Sequence, residues 1–223
     1  MTHLDIIFLH NDRPEFTRAS DAALQANTNG SRVQVIHHVK GESSPVAAMN
    51  KWLDVQLLSR GAPDLFAKID NDVIVPPGWV EAAVDVMDRY PELSILGLEP
   101  WQSRTPAPWA KDKPVSTPEK NWIGGAGYVR VECVGGVFVA RRSAFARSRP
   151  VPRDTYGGFT DWQIEHSEIV KGWIVPSIKL FLLDRLPVEP WRSLSDGYIA
   201  RGVQRPWTNY DPNMSSLWDW WKP

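Results

Sequence analysis

Four apolar runs mark out the first 99 residues, at 4–9, 32–39, 65–69 and 94–98, and a helix-length segment separates the first three runs and the last two. The first run, Leu4-Asp5-Ile6-Ile7-Phe8-Leu9, reads as a buried strand. Pro14 sits where a first helical residue is favoured, and a helix is predicted from there to about Asn27. Ser43-Ser44-Pro45 starts a second helix. Val46, Met49, Leu53 and Leu57 recur in it at helical spacing, and Gly61 is its expected C-terminal cap. Pro76-Pro77-Gly78 starts a third, with Val80, Val84 and Met87 on one face and Pro91 as its stop. This β-α-β-α-β-α-β order predicts an α/β fold with a mostly parallel central sheet flanked by helices.

The second half is less regular. Residues 100–120 hold five prolines and no periodicity, and they read as a long loop. Residues 129–140 return to strand character, interrupted by Gly135-Gly136. Thr160 is the expected cap of a helix beginning Asp161-Trp162-Gln163, and 178–183 reads as a strand. The 223 residues suit a single domain. It divides into a first half (1–99), a long loop (100–128), a second half (129–206) and a C-terminal tail (207–223) without regular pattern.

Composition removes several function classes. Cys133 is the only cysteine, so a disulfide within the chain is impossible and a cysteine-based zinc site is disfavoured. The start lacks a basic stretch followed by a long apolar one, and no run approaches the ~18 apolar residues of a membrane span. These features predict a cytoplasmic protein. A formal net charge of -1 gives no global attraction to nucleic acid. Neither the His37-His38 pair nor His166 has metal-ligand spacing. Gly124-Gly125-Ala126-Gly127 lacks the strand and helix of a dinucleotide fingerprint. The twelve tryptophans suit either a ligand cleft or the core.

The sharpest local signal is Lys68-Ile69-Asp70-Asn71-Asp72-Val73. In an extended chain, residues two apart share a side, so Asp70 and Asp72 can face one cation while Asn71 points away. Magnesium typically takes one or two carboxylates plus substrate phosphates. Ligands of open α/β sheets bind beyond the carboxyl ends of the strands, where these aspartates lie.

The run from Phe66 to Trp79 resembles the Asp-x-Asp region of GT-A-fold glycosyltransferases, especially the family-2-like group. Other stretches match in order: 10–15 the turn that meets the nucleotide, 47–51 the helix bordering its pocket, 135–142 the acceptor-side strand, and 158–162 the later acidic motif. The resemblance spans about residues 4–185 and implies a GT-A-like (Rossmann-like) domain with a nucleotide-sugar-binding first half. It implies Mn2+ or Mg2+ on Asp70 and Asp72, and a UDP-type donor contacted by Asn11, Arg13, Asn50, Lys68 and Asp70. It places Gly135, Gly136, Trp162, Arg141 and Arg142 on the acceptor side and makes Asp161 the catalytic base of an inverting transfer. Two departures stand out. Thr160 precedes Asp161 where the family often has Glu. The late histidine ligand is missing, so Asp184, Glu189 or water is expected to complete the metal shell.

The acceptor is left open by the sequence. The arginines at 141, 142, 147, 149 and 153 suggest phosphate contact, with a saccharide or a hydroxymethylated DNA base as candidates, or else a solvated charged surface. Two competing functions are a sugar nucleotidyltransferase and a non-catalytic Trp-rich module for carbohydrate or nucleic acid. The first is disfavoured because the 10–14 turn has no glycine, the second because Asp70, Asp72 and Asp161 are all retained.

Overall fold

A computed structural model of the chain describes residues 2–28, 32–40, 44–59, 61–98, 120–123, 126–152, 157–175, 178, 180–185 and 189–201. Most of the expected long loop, with Trp101 and Trp109, lies outside the described residues, as do Arg153 and the tail from Trp207. Nothing is described of the Trp122 side chain.

The first half follows its sequence pattern closely. Strands β1 (Leu4–His10), β2 (Val33–Lys40) and β3 (Leu65–Asp70) alternate with helices α1 (Pro14–Asn27) and α2 (Pro45–Gln56). The short strand β4 (Val73–Ile74), helix α3 (Trp79–Arg89) and strand β5 (Ile95–Gly97) follow. Ser44 caps α2, its Oγ accepting from the Ala47 N–H. α2 nevertheless stops at Gln56, so Gly61, at φ 81°, turns the following loop and is not the helix cap.

The second half departs further. β6 (Lys120–Ile123) and β7 (Ala126–Arg130) form an antiparallel pair that begins inside the expected loop. The predicted 129–140 strand is broken, with β8 (Phe138–Arg141) starting only after the glycines. α4 (Gly157–Glu165) begins before Thr160, which is therefore inside the helix and not its cap. β9 (Lys171–Val175), β10 (Phe181–Leu182) and α5 (Trp191–Ala200) complete the described fold.

The main sheet has the order β2-β1-β3-β8-β5-β9-β7-β6, and a second ribbon pairs β10 with β4. Six of the eight main strands run one way, as a mostly parallel sheet requires. β7 and β8 run against them.

Alternation along the strands builds a three-layer core. Leu4, Ile6 and Phe8 face the layer containing Leu24 of α1 and Trp79, Val80, Val84 and Met87 of α3. Ile7, Leu9 and Phe66 face Met49, Trp52 and Leu53 of α2 and Phe159 and Trp162 of α4. A third cluster joins Phe16 of α1, Ile74 of β4, Leu183 and Tyr198 of α5. The carboxyl ends of β1 and β3 and the start of β8 thereby meet at one edge of the sheet.

Candidate functional site

Asp70 is the last residue of β3, and Asn71 and Asp72 form the turn beyond it. The strand alternation that would align Asp70 with Asp72 thus stops at Asp70. Asn71 does not point away to solvent. It is buried, and its Nδ2 donates to Asn11 Oδ1 at 2.9 Å and to Thr17 Oγ1 at 2.9 Å. Asp72 is buried too, with Oδ2 2.8 Å from Arg13 Nη2. The same guanidinium donates to Asn71 Oδ1 at 3.0 Å and to Asn11 Oδ1 at 3.2 Å, and it lies 3.9 Å from Asp184. Ser20 of α1 holds the turn from behind, its hydroxyl donating to the carbonyls of Asp70 and Val73. Arg13 is therefore the internal cation of the turn.

Lys68 does the same for Asp70. Its ammonium donates to Asp70 Oδ1 at 2.6 Å and to the Gly136 carbonyl at 2.7 Å, and only 5% of the residue is exposed. Lys68 pairs across the sheet with Phe138, so two further residues along this register Asp70 stands opposite Gly136. A Cβ built on Gly136 would lie 3.2 Å from Asp70 Oδ2. Gln163 of α4, fully buried, clasps the segment leading to these glycines: Oε1 accepts from the Val134 N–H at 2.8 Å and Nε2 donates to the Val134 carbonyl at 3.3 Å. Lys171 of β9 donates to the carbonyls of Gln163 and His166 at the end of α4. Asp161, half-buried, lies on the helix about 200° from Gln163, facing away from that clasp. Gln163, Ser20, Thr17 and Asn71 carried no motif in the sequence, because their partners lie far along the chain.

Several expected site residues are located elsewhere. Arg141 pairs with Leu65 at the opposite end of β3, about 17 Å from Asp70 at ~3.3 Å per residue. Its guanidinium donates to the carbonyls of Leu93 and Met87 and to Asp64. Arg142 is buried, donates to the Gln56 carbonyl and lies 3.6 Å from Asp5. Both arginines brace the far edge of the sheet and do not line an acceptor surface beside Asp70. Trp162 is 3% exposed and stacks on Phe145 at 4.7 Å, which makes it a core residue. Asn50 Nδ2 donates to the Pro150 carbonyl at 2.7 Å, tying α2 to the segment after β8. Glu189 is exposed, at the start of α5, and accepts from the Ser193 N–H. Asp184 is aimed at Arg13, and Ser195 Oγ holds its carbonyl at 3.0 Å. Among the described residues no group of three or more His, Cys, Asp or Glu is arranged to hold a metal ion, and Asp184, expected as a third ligand, lies 3.9 Å from the Arg13 guanidinium.

Burial pushes the Asp70 pKa up, and nearby Asp72 adds to this, while the Lys68 ammonium opposes it. Among the described residues, the ion pairs of Asp70, Asp72 and Asp184 are with Lys68 and Arg13, three carboxylates beside two cations. A diphosphate is repelled by such a site, and a divalent cation between them removes the repulsion. With Oδ1 taken by Lys68, Asp70 keeps Oδ2 for that purpose. The donor set therefore fits one hard divalent cation completed by phosphate oxygens.

No protein-family model matches the sequence, and comparison with curated proteins finds no match. Solved structures with a similar layout include galactosyltransferase LgtC in complex with donor and acceptor sugar analogues, at 8% identity and TM-score 0.44 over 76% of this chain and 72% of that one. CMP:2-keto-3-deoxy-manno-octonic acid synthetase complexed with CTP aligns at 11% identity and TM-score 0.43, over 77% and 89%. The catalytic domain of Drosophila beta1,4-galactosyltransferase 7 with xylobiose aligns at 13% identity and TM-score 0.43, over 78% and 65%. Likenesses at these scores carry no functional argument, so the reading below rests on this chain's own residues.

Proposed function

We propose that the chain is a glycosyltransferase that moves a sugar from a UDP-type nucleotide-sugar donor to an acceptor hydroxyl. The observation that supports this most directly is the Asp70 carboxylate. It stands at the carboxyl end of a central strand, with one oxygen held by Lys68 and the other over the bare face of Gly136. Mn2+ or Mg2+ on Asp70, with Asp72 adjacent, would offset the charge that grows on a diphosphate leaving group. Arg13 and Asn71 keep the turn in place, and Gly136, having no Cβ, lets the acceptor-side segment that also holds Gly135 come close to Asp70. Asp161 takes the proton of the acceptor hydroxyl as the new bond forms, the role that gives a single displacement with inversion. Arg141 and Arg142 stand at the far end of β3 and so lend no support to a phosphate-bearing acceptor or a DNA base beside Asp70. A hydroxyl-bearing saccharide is the acceptor class we favour. No described helix is long and apolar enough to cross a membrane.

Calorimetry of UDP binding with and without manganese tests the reading. Manganese is expected to tighten binding in the wild type and to have no effect in an Asp70→Ala/Asp72→Ala variant. Equal, metal-dependent affinity in both proteins would refute the assignment.

A further inference from the structure

We infer that Lys68 is a positioning residue. By holding Asp70 Oδ1 and the Gly136 carbonyl at once, it fixes the donor-side strand end against the acceptor-side glycine segment and leaves Asp70 Oδ2 as the oxygen offered to a ligand. The inference rests on the proposed role of Asp70 and goes beyond it.

Three observations carry it. Lys68 is buried, and its ammonium is engaged at 2.6 Å by a carboxylate and at 2.7 Å by a carbonyl, so it is not placed to meet a substrate phosphate itself. Its two partners are 66 residues apart in sequence and belong to β3 and to the segment before β8. The third is the space over Gly136. A methyl group there would sit 3.2 Å from Asp70 Oδ2 and 3.6 Å from Lys68 Nζ, so only glycine leaves that oxygen uncovered. Gln163 extends the brace by fixing Val134, and through it the segment is tied to α4, which bears Asp161. Two buried side chains, Lys68 and Gln163, thus tie the glycine segment to β3 on one side and to α4 on the other. A carboxylate with one oxygen held by a fixed cation presents the other in one orientation. Free to rotate, it must be ordered each time a cation binds.

The test uses the full chain and UDP as probe, with affinity measured by calorimetry in the presence and absence of manganese, beside urea unfolding midpoints. The variants are Lys68→Met, Gly136→Ala and Asp70→Asn. Lys68→Met removes the brace. Gly136→Ala removes no hydrogen bond and covers Oδ2. Both are expected to weaken manganese-dependent UDP binding by about 10-fold or more, the usual cost of disturbing a group that orients a metal ligand. UDP affinity without metal is expected to stay as in the wild type in Gly136→Ala, which changes no charge. A purely structural lysine would lower the unfolding midpoint and leave the ratio of the two affinities unchanged, which would overturn the inference. If Lys68→Met does not fold, Gly136→Ala decides: wild-type metal dependence in it overturns the claim about Oδ2 and the inference with it. If manganese fails to tighten UDP binding in the wild type, the role of Asp70 falls, and the inference with it. If Asp70→Asn abolishes the metal effect while Lys68→Met and Gly136→Ala keep it, the role of Asp70 stands and only the inference falls.

Discussion

Arg13→Met is the perturbation whose cost follows most directly from the structure. The methionine keeps most of the apolar stem and deletes the guanidinium. Asp72, with a side chain 9% exposed, then loses the Nη2 partner at 2.8 Å, and Asp184, 6% exposed, loses a cation at 3.9 Å. Asn71 and Asn11 each lose a donor. Removing one partner of a buried ion pair costs about 3–5 kcal/mol, because the remaining charge is buried without compensation. In a chain of this size each kcal/mol lowers the melting temperature by about 2–4 °C, so a fall of about 6 °C or more is expected. The mechanism makes a second demand. If the cost is the abandoned charge, neutralising Asp72 must return part of it. The double variant Arg13→Met/Asp72→Asn is therefore expected to be more stable than Arg13→Met alone by about 1 kcal/mol or more, as coupled neighbours are. Urea denaturation of the four members of this cycle supplies the numbers. A loss below about 1 kcal/mol in Arg13→Met, the range of an exposed pair, would refute the argument, as would additivity of the two substitutions.

Other perturbations separate roles that share a motif. Asp161→Asn is expected to keep donor binding and to lose at least about 10²-fold in turnover, measured with any acceptor that the wild type uses, while near-normal turnover would leave Asp161 as an ordinary helix residue. Trp162→Ala is expected to cost about 3–5 kcal/mol in urea unfolding, the value for a large buried aromatic, and a loss of acceptor affinity at unchanged stability would contradict its place on Phe145. Burial raises the Asp5 pKa from its ordinary 3.8, with His37 and Arg142 opposing the shift. A carboxyl that binds its proton more tightly when folded adds stability at low pH, and that stability is lost as pH rises through the window above 3.8. Urea midpoints at about pH 4 and about pH 7 should therefore shift in favour of Asp5→Asn, relative to the wild type, at the higher pH, and a parallel pair of profiles would contradict this.

The first half of the fold was legible because each element there is a local pattern. Leu4 to Leu9 is apolar on both faces, and Pro14 and Ser44-Pro45 mark helix starts that the structure keeps. The second half was harder for physical reasons. β9 carries Lys171 and Gly172 inside a five-residue strand, and neither residue signals a strand. Lys171 is there to reach the carbonyls of α4, and Gly172 because a Cβ would meet the Tyr128 ring at 2.3 Å. β6 and β7 form a hairpin at the sheet edge, where pairing is with a neighbour and little apolar signal is needed. α5 buries Ser195 and Tyr198 against α1, Leu183 and Asp184, a stripe too narrow to read as a helix face.

The sequence shows the carboxylates of the candidate site but not the cations that pair with them, and both results have one cause. A period of two holds only inside a strand. It relates Lys68 to Asp70, and it does not extend to Asp72 because β3 ends at Asp70. The two aspartates of the motif therefore have different surroundings. Asp70 has one oxygen beside the bare Cα of Gly136, whereas Asp72 is bound into the turn by an arginine 59 residues earlier in the chain. Lysine and arginine are by default exposed, so in a sequence they read as groups awaiting a phosphate. Here each is buried beside a carboxylate, and a cation already paired adds little attraction for a polyanion. Lys68 and Arg13 are therefore poor sources of the positive charge that a diphosphate requires, which supports the proposal of a divalent cation at Asp70.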